Sequence, residues 1–230
     1  MTGPGGTGNG ELDRMGEMRA EGRIERARLL YERAIYAGDD GESSEADREL
    51  DAVEADLALA RGRILHLRFF DERREDPREL ELLERAARLY RVLGDVAGEG
   101  EALFWVGCFH QVVRGDDATA VPLFERSHEL AAQAGDRAIQ AEALRHLGTA
   151  AHFAGRLDAA RERLEASTRL RREIGLLAGV ASNQVGLIYI AAAQGRREDA
   201  LALAEEAHAT AEACGAKRIV RQIEEARARI

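Results

Sequence analysis

An internal repeat is the feature that most limits how this chain can fold. Similar units begin at Gly94, Gly135, Gly175 and Gly215, at successive spacings of 41, 40 and 40 residues. A repeat of this length holds one small structural unit that cannot bury its apolar side alone, so neighbouring units must stack and share a core. The chain is therefore predicted to be a linear array of stacked units. We assign the extra residue of the first unit to the turn "RGDDA".

Each unit is predicted to be a pair of helices. Glycines at Gly115, Gly155 and Gly195 divide the units into segments of about 18 residues, and glycine commonly ends a helix in the left-handed conformation. The composition favours helix over strand, because Ala, Leu, Arg and Glu are abundant, only three residues are proline and 5% are aromatic. We therefore predict an all-α fold.

The N-terminal part departs from the repeat. Residues 1–10 are rich in glycine and too polar to pack, so a disordered tail is predicted there. Ser44 and Asp47 form a capping box, and a long helix from about 44 to 74 should follow it. The pair Asp76–Pro77 is predicted to start the next helix, in the favoured order of cap and proline. Apolar residues at alternating spacings of three and four support the long helix, namely Leu50, Val53, Leu57, Ala60, Ile64 and Leu67.

The units resemble the tetratricopeptide repeat, a family with Leu-Gly, small-residue, turn-Gly and Ala positions at set spacings. The resemblance covers about residues 12–215, and its period exceeds the family's usual length of about 34, as in kinesin light chains and actinobacterial repeat proteins. In the central unit the matching residues are Leu147, Gly148, Ala151, Gly155, Ala160 and Leu164, with Ser167 in the place of the last alanine. The unit before it matches at Val106, Gly107, Ala120 and Phe124, and the unit after it at Leu187, Gly195, Ala200, Ala204 and Ala207.

The resemblance implies a right-handed α-solenoid of stacked antiparallel helix pairs, in which the first helix of each pair lines the concave surface. Residues 11–230 would then form one helical-repeat domain. Its units are expected at about 11–40, 44–93, 94–134, 135–174 and 175–214, followed by a capping helix at 215–230.

A binding groove is expected on the first helices. Glu142, Arg145, Thr149 and His152 recur at helical spacing and share one helix face, and shifting them by the repeat length gives the matching faces of the neighbouring units. The candidate binding residues are Arg63, Phe70, Glu101, Phe104, Cys108, Gln111, Glu142, Arg145, Thr149, His152, Val185 and Tyr189. Apolar anchors among a few polar groups suit an extended peptide or an amphipathic helix.

Roles follow from side-chain chemistry. Arg63 and Arg145 are expected to hold carboxylates of the partner, while Phe70, Phe104 and Tyr189 would take its apolar side chains. Trp105 is expected to pack between first helices. The alternative interpretation is a solvated face, on which the arginines pair with Glu101 and Glu142 across adjacent helices.

Charge and spacing argue against several classes of function. The formal net charge is −9 and basic residues are interleaved with acids, which disfavours nucleic-acid binding, and no apolar run approaches membrane-spanning length. His146 and His152 are six residues apart and face different directions, so they do not form a metal pair, and Cys108 and Cys214 are isolated thiols. No metal site or cofactor is predicted.

Catalysis has no supporting motif. Cys108 would need a base within reach and a lowered pKa to act as a nucleophile, with His152 beside Glu142 and Arg145 as the candidate base. The phosphate loop, the nucleophile elbow and the HExxH motif are all absent from the sequence. The chain is therefore predicted not to be an enzyme.

The preferred hypothesis is a non-catalytic scaffold or adaptor that binds a protein or peptide in the cytoplasm of a bacterium. A bacterial origin is expected because Lys217 is the only lysine among many arginines, as in proteins from GC-rich genomes. Two alternatives stay open: a sensory module that binds a small signalling molecule or short peptide, and an enzyme of secondary metabolism built on the scaffold. A homodimer contact, if the chain forms one, is expected at the N-terminal end and the long helix 44–74.

Overall fold

The computed structural model describes residues 8–37 and 40–230, with side chains described for 20–36 and 41–230. Within these residues every regular element is a helix, so the all-α prediction is confirmed. The elements are α1 (Gly8–Ala37), α2 (Asp40–Glu72), α3 (Pro77–Leu93), α4 (Val96–Cys108) with a π-helical continuation (Phe109–Val113), α5 (Asp117–Ala134), α6 (Arg137–Phe153), α7 (Leu157–Glu173), α8 (Leu177–Ala193), α9 (Arg197–Ala213) and α10 (Lys217–Arg227).

Successive helices pack against one another along the whole described chain. The helices pack as the pairs α2–α3, α4–α5, α6–α7 and α8–α9, and each second helix also packs on the first helix of the next pair. The result is an all-α solenoid, and its core is therefore spread along the stack.

Left-handed glycines separate the helices at the predicted positions. The glycines Gly94, Gly115, Gly135, Gly155, Gly175, Gly195 and Gly215 all have φ between 65° and 75°. A side chain would be strained in this conformation, so glycine is required for the sharp reversal between antiparallel helices. The same residue type therefore sets both the turn within a unit and the junction between units.

The extra residue of the first unit lies in a helix, and its assignment to the turn "RGDDA" is wrong. Gly94 and Gly115 are 21 residues apart, whereas Gly115 and Gly135 are 20 apart, like the later pairs. The surplus therefore precedes Gly115, where Phe109–Val113 forms one π-helical turn. A π turn takes up one more residue than an α turn without breaking the helix.

The start of the long helix also differs from its prediction. α2 begins at Asp40, so Ser44 and Asp47 lie inside the helix and do not cap it. The start of α3 is as predicted, because Asp76 is the N-cap, its side chain accepts a hydrogen bond from the Arg78 N–H at 3.0 Å, and Pro77 is the first helical residue. The predicted tail lies outside the described residues up to residue 7, and α1 begins at Gly8.

Small residues bring the paired helices close together. A Cβ atom on Gly107 would lie 2.7 Å from the Phe124 ring, and one on Gly148 would lie 3.0 Å from Leu164. At the corresponding position of α2, His66 is buried and its Nδ1 lies 2.7 Å from an oxygen of Glu79. The residue at this one position therefore differs between units, from a glycine against the partner helix to a buried histidine paired with Glu79.

Candidate functional site

The first helices of the units form one continuous side of the stack. α2 contacts α4, α4 contacts α6, and α6 contacts α8, whereas among the described residues the second helices make no comparable contacts with one another. Elements that approach one another more closely lie on the inner side of a curved stack. We call the solvent-accessible residues of the first helices on this side the inner face.

Ten of the twelve candidate residues have part of their surface accessible to solvent. In α6 and α8 most of the residues that lie between the candidates along the helix are buried, as the helix phase predicts, although Leu144 and His146 are partly accessible. The ten are Arg63, Phe70, Glu101, Gln111, Glu142, Arg145, Thr149, His152, Val185 and Tyr189.

Phe104 and Cys108 are buried, and their prediction as groove residues is wrong. They are 3% and 2% exposed and pack with Phe124 and Leu147 in a core cluster. Their positions lie at the seam between neighbouring first helices, where an apolar side chain is covered by the next unit. Trp105 is half-exposed instead and packs between α2 and α4, as predicted, with its ring 5.5 Å from that of His66.

Gln111 is half-buried, but the protein itself uses both ends of its amide. Its Nε2 donates to Asp117 at 2.7 Å and to the His146 carbonyl at 3.3 Å. Its Oε1 lies 2.6 Å from Nδ1 of His146. Gln111 therefore stabilises the π-helical segment against α6 and has no free group for a partner.

Arg145 is likewise engaged within the chain. Its Nη1 donates to the Ser182 carbonyl at 3.1 Å and to Asn183 Oδ1 at 3.0 Å, which joins α6 to α8. Burial and the nearby charge of Arg171 lower the pKa of Arg145 from its ordinary value. The expectation that Arg145 holds a partner's carboxylate therefore does not fit its geometry, and Arg145 positions the two helices instead.

The other acidic and basic residues of the inner face form pairs across adjacent elements. Arg63 lies 3.0 Å from Glu101, and its guanidinium is 5.3 Å from the centre of the Trp105 ring. Glu142 pairs at 2.7 Å with Arg171, which is only 3% exposed. The solvated-face interpretation thus predicted the correct pairing for Glu101 and the wrong arginine for Glu142.

Sequence reasoning missed a buried polar network beneath this face. Asn183 donates to Ser167 Oγ at 2.8 Å, and Ser167 donates to the Ala141 carbonyl at 2.6 Å. Arg171 adds a hydrogen bond to the Gly179 carbonyl at 2.8 Å. One signal was available, because Ser167 replaces the alanine that the family places there. Together these bonds fix α6, α7 and α8 in one arrangement.

Cys108 has a histidine neighbour, although not the one considered from the sequence. Its sulfur lies 3.8 Å from Nε2 of His146. Burial, followed by the charges of Glu142 and Glu79, raises the pKa of the Cys108 thiol. Burial lowers the pKa of His146 to about 3, with smaller contributions from nearby positive charges. A neutral thiol beside a neutral imidazole is the opposite of an activated nucleophile, so this pair is structural.

A cleft opens on the inner face between α6 and α8. Its volume is about 390 Å³, and it brings together three of the predicted residues, Thr149, His152 and Tyr189. Phe153, at the end of α6, lines it as well and is 79% exposed. The remaining lining residues are Leu164, Gly186 and Arg229. The cleft therefore offers apolar surface with a hydroxyl, an imidazole and a guanidinium at its edges.

Comparisons with known proteins agree with the repeat architecture. A family model described as tetratricopeptide repeat matches residues 109–173, which run from the π-helical segment to the end of α7. The search of curated proteins found no match.

Within the described residues, no helix combines the length and apolar character needed to cross a membrane. The same residues contain no group of three His, Cys, Asp or Glu side chains placed to hold a metal ion.

Proposed function

We propose, from the premise that the chain is a tetratricopeptide repeat protein, that it is a non-catalytic scaffold that binds a segment of a partner protein at the inner-face cleft. Tetratricopeptide repeats generally mediate protein–protein interactions. The observation that carries the proposal is the cleft itself, because it combines an exposed aromatic ring with polar groups at its rim. Such a combination gives a partner an apolar anchor and fixes its orientation.

The cleft lies on a firmly held base, which favours binding. Arg145 joins α6 to α8, and Arg171 joins α7 to the start of α8 and to Glu142. These buried bonds limit the movement of the helices that line the cleft. Binding a partner therefore requires little ordering of these helices, which is the advantage of a preorganised site.

Phe153 is the contact with the largest expected effect. An aromatic side chain that is 79% exposed at the edge of a cleft can bury much of its surface against a partner. His152 lies beside Phe153 on α6 and Tyr189 lies on α8, and each would accept or donate a hydrogen bond. Arg63, with the ring of Trp105 beside it, offers a second contact further along the inner face.

The test is an affinity purification from the native host with quantitative mass spectrometry. The bait is the full chain as wild type, as Phe153→Ala, and as Tyr36→Ala, a matched control because Tyr36 is 87% exposed on α1. We expect Phe153→Ala to reduce a specific co-purifying protein by about tenfold or more and Tyr36→Ala to retain it. Equal recovery with both variants would show that the cleft does not bind the partner.

The same preparation separates this proposal from the sensory alternative. A cleft of about 390 Å³ is also large enough for a small ligand. Native mass spectrometry of the purified chain would reveal a bound molecule as an added mass that Phe153→Ala removes. A chain with no added mass and a stable protein partner supports the scaffold, and an added mass with no partner overturns it.

A further inference from the structure

Among the side chains that the structure describes, α2 has two apolar faces. One is covered along its length, and the other is covered at its N-terminal end, where α1 packs on Ala46. The face towards α3 is buried at Ala52, Ala55, Leu59, Gly62 and His66. The opposite face carries a row that we call the α2 stripe, formed by Leu50, Val53, Leu57, Ala60, Ile64 and Leu67. Its four large members other than Val53 are between 46% and 61% exposed. A helix at the surface of a single chain ordinarily presents a polar outer face.

The spacing of the α2 stripe is that of a coiled-coil seam. Its residues alternate by three and four, which keeps them on one line over about 27 Å of helix at 1.5 Å per residue. Such a line fits the side of another helix, because each side chain can enter the space between four residues of the partner. The α2 stripe is therefore suited to packing against another helix.

The repeat explains why the α2 stripe is exposed. Two repeats further along, Ile139 and His146 occupy the positions of Leu57 and Ile64. Ile139 packs on the core that holds Phe104 and Phe124, and the ring of His146 lies 5.3 and 5.0 Å from those two rings. These positions thus face the preceding unit. Before α2 the described chain has only α1, which packs on α2 through Ala27 and Leu30 against Ala46.

Charges beside the stripe identify the occupant. Asp47, Glu54, Arg61 and Arg68 follow one another at intervals of seven, so they form a single row along one side of the stripe. The row is acidic in its N-terminal half and basic in its C-terminal half. Within the described part of the chain, Asp47, Arg61 and Arg68 make no hydrogen bond or ion pair, while Glu54 pairs with Arg85 at the surface.

A second copy of α2 matches this row only when the two helices are antiparallel. In that orientation the row of charged residues lies against the same charged row of the second copy. Asp47 of each copy then meets Arg68 of the other, and Glu54 of each copy meets Arg61 of the other. A parallel pair would instead place these charges against Glu49, Asp56 and Arg63. Two of the three contacts would then join like charges, Glu54 with Glu49 and Arg68 with Arg63, and one would join Arg61 with Asp56. The pattern is therefore self-complementary about a twofold axis.

We propose that two copies of the chain associate through antiparallel contact of their α2 stripes. Leu50 then packs beside Leu67 of the other copy, and Leu57 beside Ala60. A groove of about 800 Å³ between α2 and α3 adjoins the stripe. Its lining is mostly charged and includes Arg61 and Arg68, with Ile64, Leu65 and Leu82 among its apolar residues. This contact is separate from the inner-face cleft and does not depend on the scaffold function.

The test measures the molar mass of the full chain by light scattering and sedimentation across concentrations. The wild type is expected at twice the 25.2 kDa of one chain. Leu57→Glu with Ile64→Glu should give one chain, whereas Val92→Glu, a control on α3 where Val92 is 69% exposed, should keep two. A wild type that stays monomeric throughout overturns the proposal, and so does a dimer that survives the stripe variant.

Charge reversal tests the orientation. Arg61→Glu with Arg68→Glu makes the row wholly acidic, and Asp47→Arg with Glu54→Arg makes it wholly basic. Each variant alone should be monomeric because like charges then face one another, and an equimolar mixture should recover the mass of two chains. A structural defect would not be rescued by mixing, so failure of the mixture to associate overturns the antiparallel arrangement.

Cross-linking provides a second reading of orientation. In a Cys214→Ser background, which removes the exposed native thiol, Leu50→Cys and Leu67→Cys are prepared separately. An antiparallel dimer gives a disulfide only when the two variants are mixed. Disulfides within Leu50→Cys alone would show a parallel pair and overturn the proposal.

Discussion

The two ends of the stack bury their apolar residues to different extents. At the C-terminal end, α10 covers α8 and α9, and its Ile223 and Ala226 are almost completely buried. At the N-terminal end, α1 buries Ala27 and Leu30 but leaves the α2 stripe exposed. A repeat array must end its core somewhere, and here one end is closed by an amphipathic helix while the other presents a further packing surface.

Removing each terminal helix in turn should give the largest contrast. Deleting residues 216–230 exposes the core around Ile188 and Ala211, and we expect the free energy of unfolding to fall by about 4 kcal/mol or more. Deleting residues 1–39 removes Ala27 and Leu30, which pack on Ala46, and should cost about 1–2 kcal/mol. Urea unfolding followed by circular dichroism measures both. Equal losses would show that the two ends are closed equally well.

Single isoleucines sharpen the same contrast without removing a helix. Ile223→Ala should lower the free energy of unfolding by about 2–4 kcal/mol, because Ile223 is 1% exposed and leaves a cavity. Ile64→Ala, measured at a concentration that keeps the chain monomeric, should change it by about 0.5 kcal/mol or less, since Ile64 is 52% exposed. A large loss at Ile64 in the monomer would mean that the stripe is covered within one chain.

Helix boundaries could be predicted from the sequence because the signals that set them are local. A left-handed glycine needs no distant partner, and all seven predicted glycines adopt that conformation. The start of α3 at Asp76–Pro77 was predicted correctly for the same reason. The capping box at Ser44 failed because α2 extends past it to Asp40, so a favourable cap sequence was overridden by continued helix.

The inner face was predictable only where side-chain exposure follows helix phase. In α6 the polar residues stay accessible, whereas Phe104 and Cys108, in the same phase of α4, are buried by a neighbouring unit. The pairing of Glu142 with Arg171 joins two helices of one unit and has no signature in spacing. The position of the extra residue in the first unit could have been found by counting, since the interval from Gly94 to Gly115 is one residue longer than the later intervals.

The interior of the stack differs from its N-terminal end at one repeat position. His146 occupies inside the stack the position that Ile64 occupies at the end. The pKa of His146 is lowered from 6.5 to about 3, mainly by burial, so between these values the unfolded chain binds a proton that the folded chain does not. The free energy of unfolding should therefore fall as the pH falls below about 6.5, by at most about 1.4 kcal/mol per pH unit.

His146→Leu checks this assignment. Between pH 7 and pH 5 the variant should lose less stability than the wild type by about 1–2 kcal/mol, because the titrating group is gone. His152→Gln is the matched variant, since it changes a histidine of the same helix on the inner face. Parallel profiles for His146→Leu and the wild type would contradict the assignment.

Glycines near the two ends should respond with opposite signs. Gly215 precedes α10 with φ of 69°, so Gly215→Ala strains the backbone and should lower the free energy of unfolding by about 1 kcal/mol. Gly22 lies inside α1, where an added Cβ meets nothing within 4 Å, so Gly22→Ala should stabilise that helix by about 0.5–1 kcal/mol. Hydrogen exchange measures the gain within α1 itself. If Gly22→Ala slowed exchange in α1 without changing the molar mass of the chain in solution, the stability of α1 and the exposed stripe would be independent features of that end.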